Sequence, residues 1–83
     1  MEKDIKLGVY KILRKLGVNR DEIYPEAKFK TDYFFDDVDW NCFLFFVESK
    51  FNISITDDDQ KEMVTLANTI DVVDRHIHSI HPN

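Results

Sequence analysis

Val38-Asp39-Trp40-Asn41-Cys42-Phe43-Leu44-Phe45-Phe46-Val47-Glu48-Ser49-Lys50-Phe51 runs for fourteen residues without a glycine or a proline, and nine of them are apolar. Its aromatic and β-branched content would also suit a buried strand, and periodicity alone does not separate the two. Length does. Strands in small domains average about 5–6 residues, whereas four helical turns are ordinary. Three carboxylates, Asp36, Asp37 and Asp39, crowd the start of the run. An N-cap oxygen and the positive end of the helix dipole both favour acids there. The run therefore predicts a central helix over Val38–Phe51, apolar enough to be buried on most sides. Asp37 is read as its N-cap, a contribution of about 1 kcal/mol.

Working outward, Val18–Asp36 shows no sustained period, yet it carries Ile23, Tyr24, Ala27, Phe29, Tyr33, Phe34 and Phe35. A polar linker would not hold so many large apolar groups, so a long loop pinned by anchors is expected. Before it, Ile5, Val9, Ile12, Leu13 and Leu16 follow helical spacing, with Asp4 as N-cap and Gly17 as stop. After the central helix, Asn52–Thr56 alternates like a short extended piece, and Thr56 or Asp57 caps a short helix through Asp58–Val64. Leu66, Ile70, Val73 and Ile77 form the stripe of a last helix, Leu66–Ile80, which Pro82 cannot extend. The expectation is an all-α, four-helix bundle with a long first loop and a short third helix.

Eighty-three residues allow one domain, taken here as residues 1–83, and 43% hydrophobic residues are too many for a disordered chain. The net charge of −5, without a basic run, argues against nucleic acid and anionic membranes and for a partner with a basic surface. One cysteine, Cys42, excludes an internal disulfide and a multi-cysteine zinc site. No signal-peptide pattern opens the chain, and the longest apolar run, Cys42 to Val47, is too short to span a bilayer. A cytoplasmic monomer without membrane insertion is the expectation.

Several short patterns share one register. Gly17-Val18, Glu22-Ile23, Ala27, Phe29 and Asp32, then Asp36-Asp37-Val38-Asp39, then Phe51-Asn52-Ile53-Ser54-Ile55, and finally Thr65, Ile70 and Asp71 lie in order along the chain. Each alone is weak. Together, from Gly17 to Val73, they resemble the acyl carrier protein family, whose second long helix opens with Asp-Ser-Leu-Asp. The resemblance implies a non-enzymatic four-helix domain. In the family that serine bears 4′-phosphopantetheine, and here Asp37 stands in its place. A carboxylate has no hydroxyl to convert into a stable phosphodiester. On that ground no cofactor is expected, and the phosphopantetheine site is read as absent.

The resemblance further implies a partner-binding face on the second helix, carried over to Asp36, Val38, Asn41, Phe45 and Glu48. Cys42 and Ser49 stand where the family is often acidic, and Phe34-Phe35 replaces a small pair such as Leu-Gly. Docking is therefore expected to shift from charge toward aromatic contact, against a basic or apolar surface. The implied function is a docking or regulatory subunit beside acyl transfer in lipid or polyketide biosynthesis. The alternatives are an acyl carrier proper, or an acidic helical inhibitor or immunity-type protein. No metal site is expected. Asp37, Asp39, Asn41 and Glu48 mimic calcium-loop spacing but lack the glycine of the sharp turn, and His76, His78 and His81 suit the negative end of a helix. Cys42, inside the apolar run, is expected to be an inert core thiol.

Overall fold

The computed structural model describes residues 2–79, with α1 at Glu2–Lys15, a 3-10 turn at Arg20–Glu22, α2 at Asp37–Phe51, α3 at Asp57–Glu62 and α4 at Leu66–Ser79. Among the described residues the only extended pairing is an isolated bridge between Lys28 and Thr65. The fold is the expected all-helical bundle. Asp4 is not a cap: α1 begins before it. The stop at Gly17 is as anticipated. This residue has a φ of 97°, the Val18 N–H donates to the Leu13 carbonyl at 3.0 Å, and the Gly17 N–H donates to Arg14 at 3.1 Å. Those two bonds satisfy carbonyls that the end of a helix otherwise leaves bare. Pro82 and His81 lie outside the described residues.

The core joins Val9 and Leu13 of α1, Phe43 and Val47 of α2, and Leu66, Val72 and Val73 of α4, each essentially sealed from solvent. Gly8 lets α1 and α2 approach closely, since a Cβ there would stand 2.7 Å from the Phe51 ring. Of α2, only Phe43, Leu44 and Val47 are buried. The expectation of a helix covered on most sides is thus corrected. Its apolar residues surround the axis, and α1 and α4 with the first loop cover only part of that circumference.

The first loop is fastened from both sides. Ala27 and Phe29 are buried, whereas Tyr24 and Phe34 point outward and are not anchors. The Leu66 N–H donates to the Ala27 carbonyl and the Ala67 N–H to the Pro25 carbonyl, both at 2.9 Å. The free amides at the start of α4 thereby hold the loop in place. Thr65 and Asn68 complete that end by reciprocal bonds, the Asn68 N–H donating to Thr65 Oγ1 at 3.1 Å and the Thr65 N–H to Asn68 Oδ1 at 3.2 Å. The short α3 opens with Thr56 as N-cap in a capping box with Asp59. It is tied to α4 by Glu62–Arg75 at 2.7 Å and Asp59–His76 at 2.6 Å. Among the described residues no helix is long and apolar enough to cross a membrane.

Candidate functional site

Asp36, not Asp37, is the N-cap of α2. Its Oδ1 accepts the Asp39 N–H at 2.8 Å, and Asp39 Oδ2 accepts the Asp36 N–H at 3.2 Å. The reciprocal pair places Asp36 outside the helix with extended backbone and Asp37 as the first helical residue. Asp37 is exposed and takes no part in the cap. The reading of Asp37 as N-cap is therefore corrected by one residue.

Asp37 stands at the rim of a cleft of about 630 Å³ between the first loop, the start of α2 and α3. Phe29, Phe35, Trp40 and Met63 line its apolar part, and Lys28, Lys30 and Lys61 also border it. One wall is tied across α2 and α3, where Trp40 Nε1–H donates to Gln60 Oε1 at 3.0 Å. Behind the cleft, the Phe29 ring meets Tyr33, Phe35, Trp40 and Phe43 at centroid distances of 5.6, 5.8, 5.0 and 5.0 Å. The aromatic residues fill the interior but leave the mouth beside α2 open. Within this cluster the Tyr33 hydroxyl is buried without a hydrogen-bond partner among the described residues. Burial first, then nearby Tyr24 and Asp32, pushes its pKa up to about 12.

The outer face of α2 carries Val38 at 68% exposure and Phe45 at 64%. Cys42 lies between them on the same stripe and is exposed, which corrects its reading as a core thiol. Asn41 and Ser49 are exposed beside it. Glu48 is set apart: its Oε2 accepts the Ile55 N–H at 2.7 Å, fastening the chain between α2 and α3. Just ahead of the helix, Phe34 is 79% exposed with a φ of 56°. A bulky residue in the left-handed region stores strain of about 1–3 kcal/mol, and such positions cluster where a surface is functional. The aromatic pair before Asp36 is the sequence signal for this feature, but nothing in it shows that Phe34 turns outward while Phe35 turns in. The Trp40–Gln60 bond left no sequence signal at all.

The calcium-like spacing is wound round successive helical turns, with Asp39 in the cap and Glu48 bonded elsewhere. His76 and His78 do not converge. His76 Nε2 lies 2.6 Å from Asp59, and His78 Nδ1 lies 3.0 Å from Asp74. Asp59 is held below the usual carboxylate range, first by its bond from the Thr56 N–H and also by His76.

No protein-family model matches the chain. It is 37% identical over 73 residues to proteins named acyl carrier protein from Chlorobium phaeobacteroides and Chlorobium phaeovibrioides, covering 87% of this chain and 94% of each relative. A third, also named acyl carrier protein, from Nitratidesulfovibrio vulgaris, is 34% identical over 62 residues, covering 75% of this chain and 82% of the relative. These are carriers by name, and the chain is not an enzyme. They also overturn the expectation of no cofactor, because that family uses 4′-phosphopantetheine. That expectation rested on one side chain, whereas the likeness spans most of the chain. The cleft has an apolar lining in which Lys28, Lys30 and Lys61 are matched by Asp36, Asp37 and Asp57, and the atom offered at position 37 is a carboxylate oxygen, not the serine hydroxyl.

Proposed function

Because the chain belongs to the acyl carrier protein family, we propose that it serves as a docking or regulatory subunit beside acyl transfer in the cytoplasm, presenting the outer face of α2 to a protein partner. The single observation that carries this reading is the exposed row Val38, Cys42 and Phe45 beside Asp37 on a helix whose opposite face is core. Apolar side chains held in water at such exposure are what a partner's surface removes from solvent. Phe34, exposed on a left-handed backbone just ahead of the N-cap, is a further apolar group held in water near the helix start. Asp36 and Asn41 flank it, so a matching partner is apolar at its centre and basic toward the start of α2. Glu48 contributes through the Ile55 turn it fastens.

A second reading, that the chain is a carrier of acyl groups in its own right, is favoured by the cleft that opens beside position 37. The experiment that tests the docking reading is calorimetric titration of the chain against the acyl-transfer enzymes encoded alongside it. Phe45→Ser is expected to weaken the binding at least about tenfold, the effect of losing one well-packed aromatic anchor. Equal affinity of both forms for every such enzyme refutes the docking role of this face.

A further inference from the structure

The exposed row on α2 has a spacing that a general docking role does not require. Val38, Cys42, Phe45 and Ser49 follow one another at intervals of four, three and four residues. That is the seam along which two helices pair, and all four residues are exposed. We propose that the occupant of this face is a second copy of the chain, paired with its α2 antiparallel to the first about a two-fold axis near residues 41 and 42. This pairing rests on the docking reading of the face and specifies how that face is regulated: a copy engaged with its twin cannot offer the row to an unlike partner.

The antiparallel register follows from the residues themselves. Setting Val38 of one copy against Phe45 of the other puts the small side chain opposite the large one, twice by symmetry. The charges agree. Asp39 and Phe46 are two turns apart on one flank of α2, and Lys15 Nζ lies over the Phe46 ring, 5.0 Å from its centre. Reversing one helix against the other places Asp39 of each copy within about two residues, some 3 Å along the axis, of the other's Lys15. The start of α2 is acidic and its end is bordered by Lys15 and Lys50, so a reversed copy is the complement of this face. A parallel copy would set acid against acid.

Three exposed apolar side chains on one helix fall short of the roughly 1,200 Å² that a stable interface buries, so the pairing is weak and fills only at high protein concentration. Cys42 supplies a built-in reporter. In this register the two Cys42 residues are offset by only about 1.5 Å along the axis, within reach of a disulfide at the close approach of paired helices.

The experiment is sedimentation of the reduced chain over a concentration series, together with cross-linking by diamide, which takes up the two hydrogens lost when the two thiols join. Concentration-dependent dimer is expected, with rapid formation of the Cys42–Cys42 dimer. Phe45→Ser and Lys15→Glu should each slow the cross-linking at least about tenfold while leaving the circular dichroism spectrum unchanged. Moving the thiol to α1, as Cys42→Ser with Lys11→Cys, should slow it similarly. A chain that stays monomeric at millimolar concentration overturns the pairing and leaves binding of an unlike partner intact. Cross-linking as fast in the Phe45→Ser, Lys15→Glu or Lys11→Cys forms as in the native chain also overturns it, because random collision would then explain the product.

Discussion

Two phenylalanines two positions apart on α2 should respond to truncation in opposite ways. Phe43 is fully buried and packs against Phe29, Phe35 and Trp40, whereas Phe45 is 64% exposed. Removing a buried phenylalanine costs the lost transfer energy together with the cavity left behind, about 3–5 kcal/mol for Phe43→Ala. For a chain of this size that is a large part of the whole stability, and much of the population would unfold. Phe45 has roughly a third of its surface covered, which is worth about 0.5–1 kcal/mol. Serine and phenylalanine differ little in helix propensity, so Phe45→Ser adds no backbone penalty of note. Thermal unfolding in dilute solution, followed by far-ultraviolet circular dichroism, separates the two. Phe45→Ser should lower the melting temperature by about 2–6 °C, and Phe43→Ala by about 15 °C or more. Similar losses for both would mean that Phe45 belongs to the core and that α2 presents no apolar row.

Other positions give independent checks. Tyr33→Phe removes a buried hydroxyl that has no partner among the described residues, so denaturant unfolding should show equal or greater stability, by up to about 1 kcal/mol. In the native chain one tyrosine should titrate in the ultraviolet near pH 12. Its raised pKa means that its share of stability is whole below the ordinary value of 10 and is lost as pH rises toward 12. Asp59 has the opposite sign: its lowered pKa contributes stability above about pH 4 that disappears as pH falls through the folded value. Asp59→Ala should cost up to about 1 kcal/mol at neutral pH by removing the acceptor of the Thr56 N–H, the Asp59 half of the α3 capping box, and should flatten the acid limb of a plot of melting temperature against pH. Phe34→Gly should raise the melting temperature by a few degrees, since it frees a left-handed backbone of about 1–2 kcal/mol of strain and gives up little burial.

The helices were legible where the apolar spacing was regular. Ile5, Val9, Ile12 and Leu13 all prove buried, and so do Leu66, Ile70 and Val73. Gly17 marked the end of α1 because a left-handed turn was needed there. The orientation of α2 was hidden for the converse reason: with apolar residues on every side, no period tells which of Phe43, Phe45 and Phe46 faces inward. Only the family register pointed to Phe45 as the outward one. Cys42 was misplaced in the core by the same uniform run, and it is exposed because Phe43, Leu44 and Val47 take the core side of α2. The cap shifted from Asp37 to Asp36 because three carboxylates in four residues offer two equivalent candidates, and only Asp36 pairs with an acid three residues on. The cleft, the Trp40–Gln60 bond and the outward turn of Phe34 depend on how distant segments meet, which local pattern does not encode.

The claim on which the rest depends is that α2 has kept a carrier-type docking face around position 37, centred on Phe45. Restoring the family's serine tests this directly. Asp37→Ser would be incubated with coenzyme A and a broad-specificity pantetheinyl transferase, and the rate of mass gain followed with Phe45 intact and in the Phe45→Ser background. Labelling of Asp37→Ser at residue 37, slowed at least about tenfold by the loss of Phe45, is the result the account predicts. A folded Asp37→Ser chain that is never labelled, or that is labelled equally fast without Phe45, would contradict it.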